Sequence, residues 1–138
     1  MVTITFEASF VQGEGNFNRG FYTKSVPYLQ MLATGNSSIK ALITTNDTVG
    51  NGYFFQKTPD GLGAFHNKDG TVDVIINHEL DHNEDGEYSK VSRLTLNGTG
   101  AILTGNLFEN GSGKYNVFCS AYLIEGHGFP RPIFMTKK

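Results

Sequence analysis

An all-β fold is the class this sequence predicts, with antiparallel sheets arranged as in a propeller blade or a β-sandwich. Three observations carry the prediction. Charged residues make up 17% of the 138, below the usual ~25%, while glycine reaches 17 residues and aromatics 12%. Residues 2–10 alternate strictly, with Val2, Ile4, Phe6, Ala8 and Phe10 on one face and Thr3, Thr5, Glu7 and Ser9 on the other, the period of a half-buried strand. Further short apolar runs recur at roughly 8–12-residue spacing, separated by Gly and Asn turns, as in sandwiches, barrels and propellers.

The elements follow in order. After residues 2–10, a loop from Gly13 to Gly20 leads into residues 21–32, apolar but without clear period and broken by Pro27. Residues 39–45 read as a strand. Asn46-Asp47 and Gly50-Asn51-Gly52 then form a turn before Tyr53-Phe54-Phe55. The strongest hairpin joins residues 62–66 to 71–77 through Asn67-Lys68-Asp69-Gly70, because Asp-Gly accommodates the positive φ of a tight turn. Its second strand, residues 72–76, is expected to be central. Residues 81–87 form a polar loop, and strands over 88–96, 101–104, 115–124 and 133–135 complete the set.

At 138 residues the chain is one domain, spanning 1–138, on a scale of ~100–200 residues per domain. Eleven Lys and Arg against 13 Asp and Glu give a net charge of −2, which offers no electrostatic case for nucleic acid or an anionic membrane. No apolar run approaches the ~18 residues of a membrane-spanning helix. The start, Met1-Val2-Thr3-Ile4-Thr5, is not a secretory leader, so the protein is either cytosolic or exported with a leader outside this sequence. A single cysteine, Cys119, excludes an intrachain disulfide and a CxxC zinc site. It is either a small buried apolar residue or a metal-binding thiolate. Four Asn-X-Ser/Thr triplets, at Asn36, Asn46, Asn97 and Asn110, lie in predicted turns open to glycosylation in a cell that glycosylates exported proteins.

Chemistry concentrates between Asp60 and Glu87. His78-Glu79-Leu80-Asp81-His82 matches H-E-x-x-H, but zinc-peptidase chemistry needs both imidazoles on one helical face. Here a β-branched run precedes the motif and Asp81, Asn83, Asp85 and Gly86 follow it, so the histidines are expected on a strand end and a loop. The segment Asp81 to Glu87 offers oxygen ligands at Asp81, Asn83 and Asp85, then Gly86 and Glu87. This is the front half of a calcium loop, lacking the glutamate at position 12, where Ser92 stands. A remote carboxylate, Glu79 or Glu125, would complete it. The alternative reading is a solvated acidic loop. No nucleophile elbow or phosphate-binding glycine loop is present.

Several patches carry a family resemblance: Ser25-Val26-Pro27-Tyr28-Leu29, Thr44-Thr45-Asn46-Asp47-Thr48-Val49-Gly50, Asp60-Gly61-Leu62-Gly63-Ala64-Phe65, Asn67-Lys68-Asp69-Gly70-Thr71 and Asn77-His78-Glu79-Leu80. A further patch runs from Phe118-Cys119-Ser120-Ala121 to Gly126-His127-Gly128-Phe129-Pro130-Arg131-Pro132-Ile133-Phe134-Met135-Thr136. In that order and spacing they resemble the N-terminal part of the PhoX-like alkaline phosphatases. The resemblance implies an exported β-propeller phosphomonoesterase using iron and calcium held by carboxylates and one cysteine, with Asn77 and Glu79 at its centre and Cys119 as the metal-bridging thiolate. Residues 83–96 depart from the family pattern, and the chain ends in Lys137-Lys138 where acidic residues are expected. At ~40–45 residues per blade, a closed six-bladed propeller needs about twice this length, so a fragment, a module of a larger assembly or a reduced relative is expected.

Two functions follow as expectations. In the first, the chain is a segment of a metal-dependent phosphatase acting on phosphate esters, with catalytic Asn77 and Glu79, inactive or nearly so alone. In the second, it is a non-catalytic, calcium-stabilised extracellular module that self-assembles into homo-oligomers by exchanging the strand at residues 2–10.

Overall fold

The Asp69-Gly70 turn organises the first hairpin. In the computed structural model, which describes Thr23 and residues 41–138, Gly70 adopts φ +84° and its N–H donates to Asn67 O at 3.1 Å. Asp69 Oδ1 accepts from the Thr71 N–H and hydroxyl. This turn joins β1 (Pro59–His66) to β2 (Val72–His78), in register from His66↔Val72 to Leu62↔Ile76. A second turn of the same kind, Asn97–Ala101 with Gly100 at φ +77°, joins β3 (Lys90–Leu96) to β4 (Ile102–Glu109). The four strands form an antiparallel meander in the order β1-β2-β3-β4, with β2 inside the sheet as its sequence predicts. A second sheet pairs β5 (Ser120–Ile124) with β6 (Ile133–Lys137). The described residues are thus nearly all β, in two antiparallel sheets and no closed barrel or propeller.

Alternation along β2 and β3 gives the larger sheet two different faces. Val72, Val74, Ile76, Leu94 and Leu96 face a core completed by Val49, Phe55 and Ile102, with Leu42, Ile43 and Tyr53 packed against it. Each fully buried aliphatic side chain contributes about 1.5–3 kcal/mol. The opposite face carries Asp73, Asn77 and Arg93 and is covered by the β5–β6 hairpin. Here Arg93 Nη2 lies 2.5 Å from Asp73 Oδ2, and Thr95 donates to Asp73 Oδ1. Burial alone would raise the Asp73 pKa, but Arg93, Thr95 and Asn67 together hold it below the ordinary carboxylate range.

Four expectations change. Residues 41–45 of the strand expected at 39–45 are not in a ladder: Asn46 takes φ +71°, and Asp47 turns the chain by accepting from Thr44 N through its carboxylate and donating to Thr44 O. Leu42 and Ile43 still pack on the core, which is why their sequence reads as a strand. Strand β4 runs five residues beyond the predicted 101–104, because Gly105 marks a close contact and not a turn; a Cβ there would lie 2.3 Å from the Tyr53 ring. Strand β5 starts only at Ser120, since Lys114 and Val117 have positive φ and the backbone of Tyr115 and Val117 bonds instead to Ser89 and Leu80. The acidic loop contains a one-turn helix, α1 (His82–Asp85), capped by Asp81 and closed by Gly86 at φ +70°. The predicted strand at 2–10, the segment at 21–32 apart from Thr23, and the Asn36 triplet lie outside the described residues. Asn46 and Asn110 are exposed, whereas Asn97 Oδ1 accepts from Thr99 and Ala101 within its turn.

A buried polar chain crosses the core. His78 and Ser92 are fully buried. Lys57 O can only accept, so Nδ1 of His78 carries the proton that bridges to it at 2.8 Å. Nε2 therefore accepts from the Ser92 hydroxyl at 2.6 Å, and Ser92 Oγ accepts in turn from Tyr53. Burial, reinforced by the charge of Lys90, pulls the His78 pKa below 6.5. Unfolding releases His78 to bind a proton more readily, so its contribution to stability is complete above about pH 6.5 and declines as pH falls below that value. The urea midpoint is expected to drop between pH 7.5 and pH 5, and His78→Gln should flatten that drop; an equal slope in the variant would contradict the assignment. Ser92→Ala, which leaves Nε2 buried without a donor, should cost about 1–3 kcal/mol in the same measurement.

Candidate metal centre

The end of β2, the start of β1 and the approach to β5 converge on one point. Glu79 lies just beyond β2, and its N–H donates to Thr58 O at 2.9 Å. Cys119 lies just before β5, and its Sγ–H donates to Glu79 Oε1 at 2.9 Å and to Val117 O at 3.5 Å. Asp60, on β1, completes the group. One ligand atom from each of Asp60, Glu79 and Cys119 lies within 4.8 Å of the others. Asp60 is exposed, while Glu79 and Cys119 are half-buried.

Glycine makes this convergence sterically feasible. The Gly61 N–H donates to Cys119 O at 3.0 Å. A Cβ at Gly61 would lie 2.5 Å from Ala121 N and 2.8 Å from Cys119 O, backbone atoms that cannot move independently of β5. A side chain at position 61 would therefore separate Asp60 from Cys119. The flanking backbone is strained as well: Thr58 and Val117, both β-branched, hold φ +47° and +58°, a region costing of order 1–3 kcal/mol per residue. Both line a recess of about 400 Å³ with Glu79, Asp81, Glu84 and Asp85.

The hydrogen bond to Glu79 is the main influence raising the Cys119 thiol pKa, with burial and the charges of Glu79 and Asp60 adding to it and Lys138 opposing. The thiol is thus held protonated by the carboxylate that would share a metal with it. A cation among the three groups would replace that proton.

The other residues singled out by sequence lie outside this cluster and make bonds of their own. Asp81 Oδ1 accepts from the N–H and Nδ2 of Asn83 and from Asn116 Nδ2, and Asp85 Oδ2 accepts from Asp81 N. The two bonds from backbone N–H groups cap α1, and the Asn116 bond ties the cap to the segment before β5. Glu87 forms an ion pair with Lys90, which lowers its pKa. Ser92 sits in the core with His78. Among the H-E-x-x-H residues, His78 is buried while the His82 ring stacks on Tyr88 with centroids 4.3 Å apart, so the two imidazoles serve separate environments. Asn77 is fully buried, with Nδ2 donating to Ser120 O and Thr136 Oγ1. Sequence reading missed Asp60 as a member of this cluster because Pro59-Asp60-Gly61 carries turn chemistry. The useful signal was the closeness of that carboxylate to Gly61 in a run that continues as a strand.

Comparison with known proteins finds no matching family model, no matching curated protein and no matching solved structure.

Two outcomes test this geometry. Gly61→Ala should destabilise the protein by about 1–3 kcal/mol in urea titration, the range for overpacking a filled site; wild-type stability would contradict the close approach. Glu79→Gln should lower the pH midpoint of Cys119 alkylation by iodoacetamide in metal-free protein, and an unmoved midpoint would show that Glu79 does not hold the thiol.

Proposed function

We propose that this chain is a metal-binding β module contributing Asp60, Glu79 and Cys119 to the centre of a phosphomonoesterase of the PhoX-like type. One observation carries the reading. Glu79 and Cys119, named as metal residues by the sequence resemblance and forty positions apart, meet at 2.9 Å with a further carboxylate beside them. A thiolate with two carboxylates is a mixed soft and hard donor set that suits iron better than calcium. Three protein ligands leave coordination positions for substrate, and the bound metal would supply Lewis acidity toward a phosphoryl oxygen. The chain's own part is to hold three donors at fixed spacing through β1, β2 and β5, with Gly61 permitting the approach.

A second reading, a calcium-stabilised non-catalytic module, is favoured by the recess where Glu79 faces Asp81, Glu84 and Asp85. Hard oxygen donors without the thiol would then form the site. Elemental analysis by mass spectrometry of unchelated protein separates the two. The phosphatase reading expects about one iron per chain, reduced at least tenfold in Cys119→Ala and in Asp60→Asn. Calcium alone, unaffected by Cys119→Ala, would support the second reading and overturn the first; no bound metal would overturn both.

A further inference from the structure

We infer that Asn77 is a positioning residue that sets the place of the Cys119 sulfur, an inference that rests on the proposed metal centre. Asn77 is fully buried on the face of β2 covered by the β5–β6 hairpin. Its single amide nitrogen donates to both strands of that hairpin, to Ser120 O on β5 at 3.2 Å and to Thr136 Oγ1 on β6 at 2.7 Å. These two acceptors adjoin Cys119 from both sides. Ser120 is the next residue in the chain, and Thr136 precedes Lys137, whose carbonyl accepts from the Cys119 N–H at 3.1 Å. The remaining backbone group of Cys119, its carbonyl, is held by Gly61 N. The backbone groups of Cys119 itself thus run to β1 and β6, and Asn77 ties the adjoining Ser120 carbonyl to β2.

Glu79 lies two residues beyond Asn77 on the same chain segment. Since β2 ends at His78, one residue after Asn77, the clamp at Asn77 ties the end of β2 to the β5–β6 hairpin next to the point where Glu79 meets the sulfur. Removing it leaves Glu79, Asp60 and Cys119 chemically intact and takes away the side-chain bonds from β2 to Ser120 and Thr136. Asn77 therefore acts through the Ser120 peptide and does not itself need to touch a metal. Asn77 Oδ1 is buried and lacks a hydrogen-bond partner, so the bonds of this side chain are the two that its nitrogen makes.

Cobalt(II) titration of metal-free protein tests this through the thiolate-to-metal charge-transfer band in the near ultraviolet. Wild type should show the band, and Cys119→Ala should lack it. Asn77→Ala and Thr136→Val, which removes one acceptor and leaves Asn77 in place, should each weaken the band at least severalfold at saturating cobalt, with circular dichroism confirming the fold. An undiminished band in both folded variants would overturn the inference while leaving the metal centre standing. If wild type shows no band, the metal centre itself fails and the inference falls with it. If both variants unfold, Asn77 is a stability residue and the positioning role is overturned.

Discussion

The fold depends on how closely β1 approaches β5. Gly61 and Gly63 both face the hairpin, and a Cβ at either would come within 2.8 Å of atoms in residues 119–123. Without side chains there, the two sheets touch through backbone, and the Gly61 N–H reaches the Cys119 carbonyl. Such proximity removes conformational freedom on both strands. In return, Asp60 and Cys119 are brought together by the part of the structure least able to move. The strained backbone at Thr58 and Val117 lies around the same point, where the chain must bend abruptly to carry Glu79 and Cys119 past each other.

Polar residues inside this protein separate into two classes. Tyr53, Ser92 and His78 form a closed chain ending on the Lys57 carbonyl, with every bond made between protein groups. Asp73 likewise finds Arg93 and Thr95. The Tyr53–Ser92–His78 network, with its bonds made, specifies how these segments pack. At the Asp60, Glu79 and Cys119 cluster the balance differs, because two acidic side chains and a thiol crowd together with a single proton-mediated bond between Cys119 and Glu79. Like charges placed near one another and near an acidic recess repel, and a bound cation would relieve that repulsion.

Much of the fold was legible in local sequence. Asp69-Gly70 marked the first hairpin and the β-branched run of β2 marked a central strand, since both depend on local backbone preference. What local sequence concealed was tertiary. Gly105 resembles a turn residue yet sits within β4 under Tyr53, and Leu42 and Ile43 resemble strand residues yet pack from an irregular segment. The candidate site was half legible: the resemblance pointed to Glu79 and Cys119, and their contact spans forty residues that no periodicity links. Asp60 was hidden because an Asp-Gly pair signals a turn unless the neighbouring strand is known. Asp81, Asn83 and Asp85 read as a calcium loop in sequence, and the short helix α1 that they cap was not legible there because capping residues are the same oxygen-bearing types.

The central claim is that one metal ion is shared by a sulfur and carboxylate oxygens at the meeting of β1, β2 and β5. X-ray absorption at the iron K edge of the iron-loaded chain tests it most directly. The account predicts one sulfur in the coordination shell with the remaining neighbours oxygen or nitrogen, and loss of that sulfur in Cys119→Ala. A shell of oxygen and nitrogen alone in the unaltered protein would contradict it.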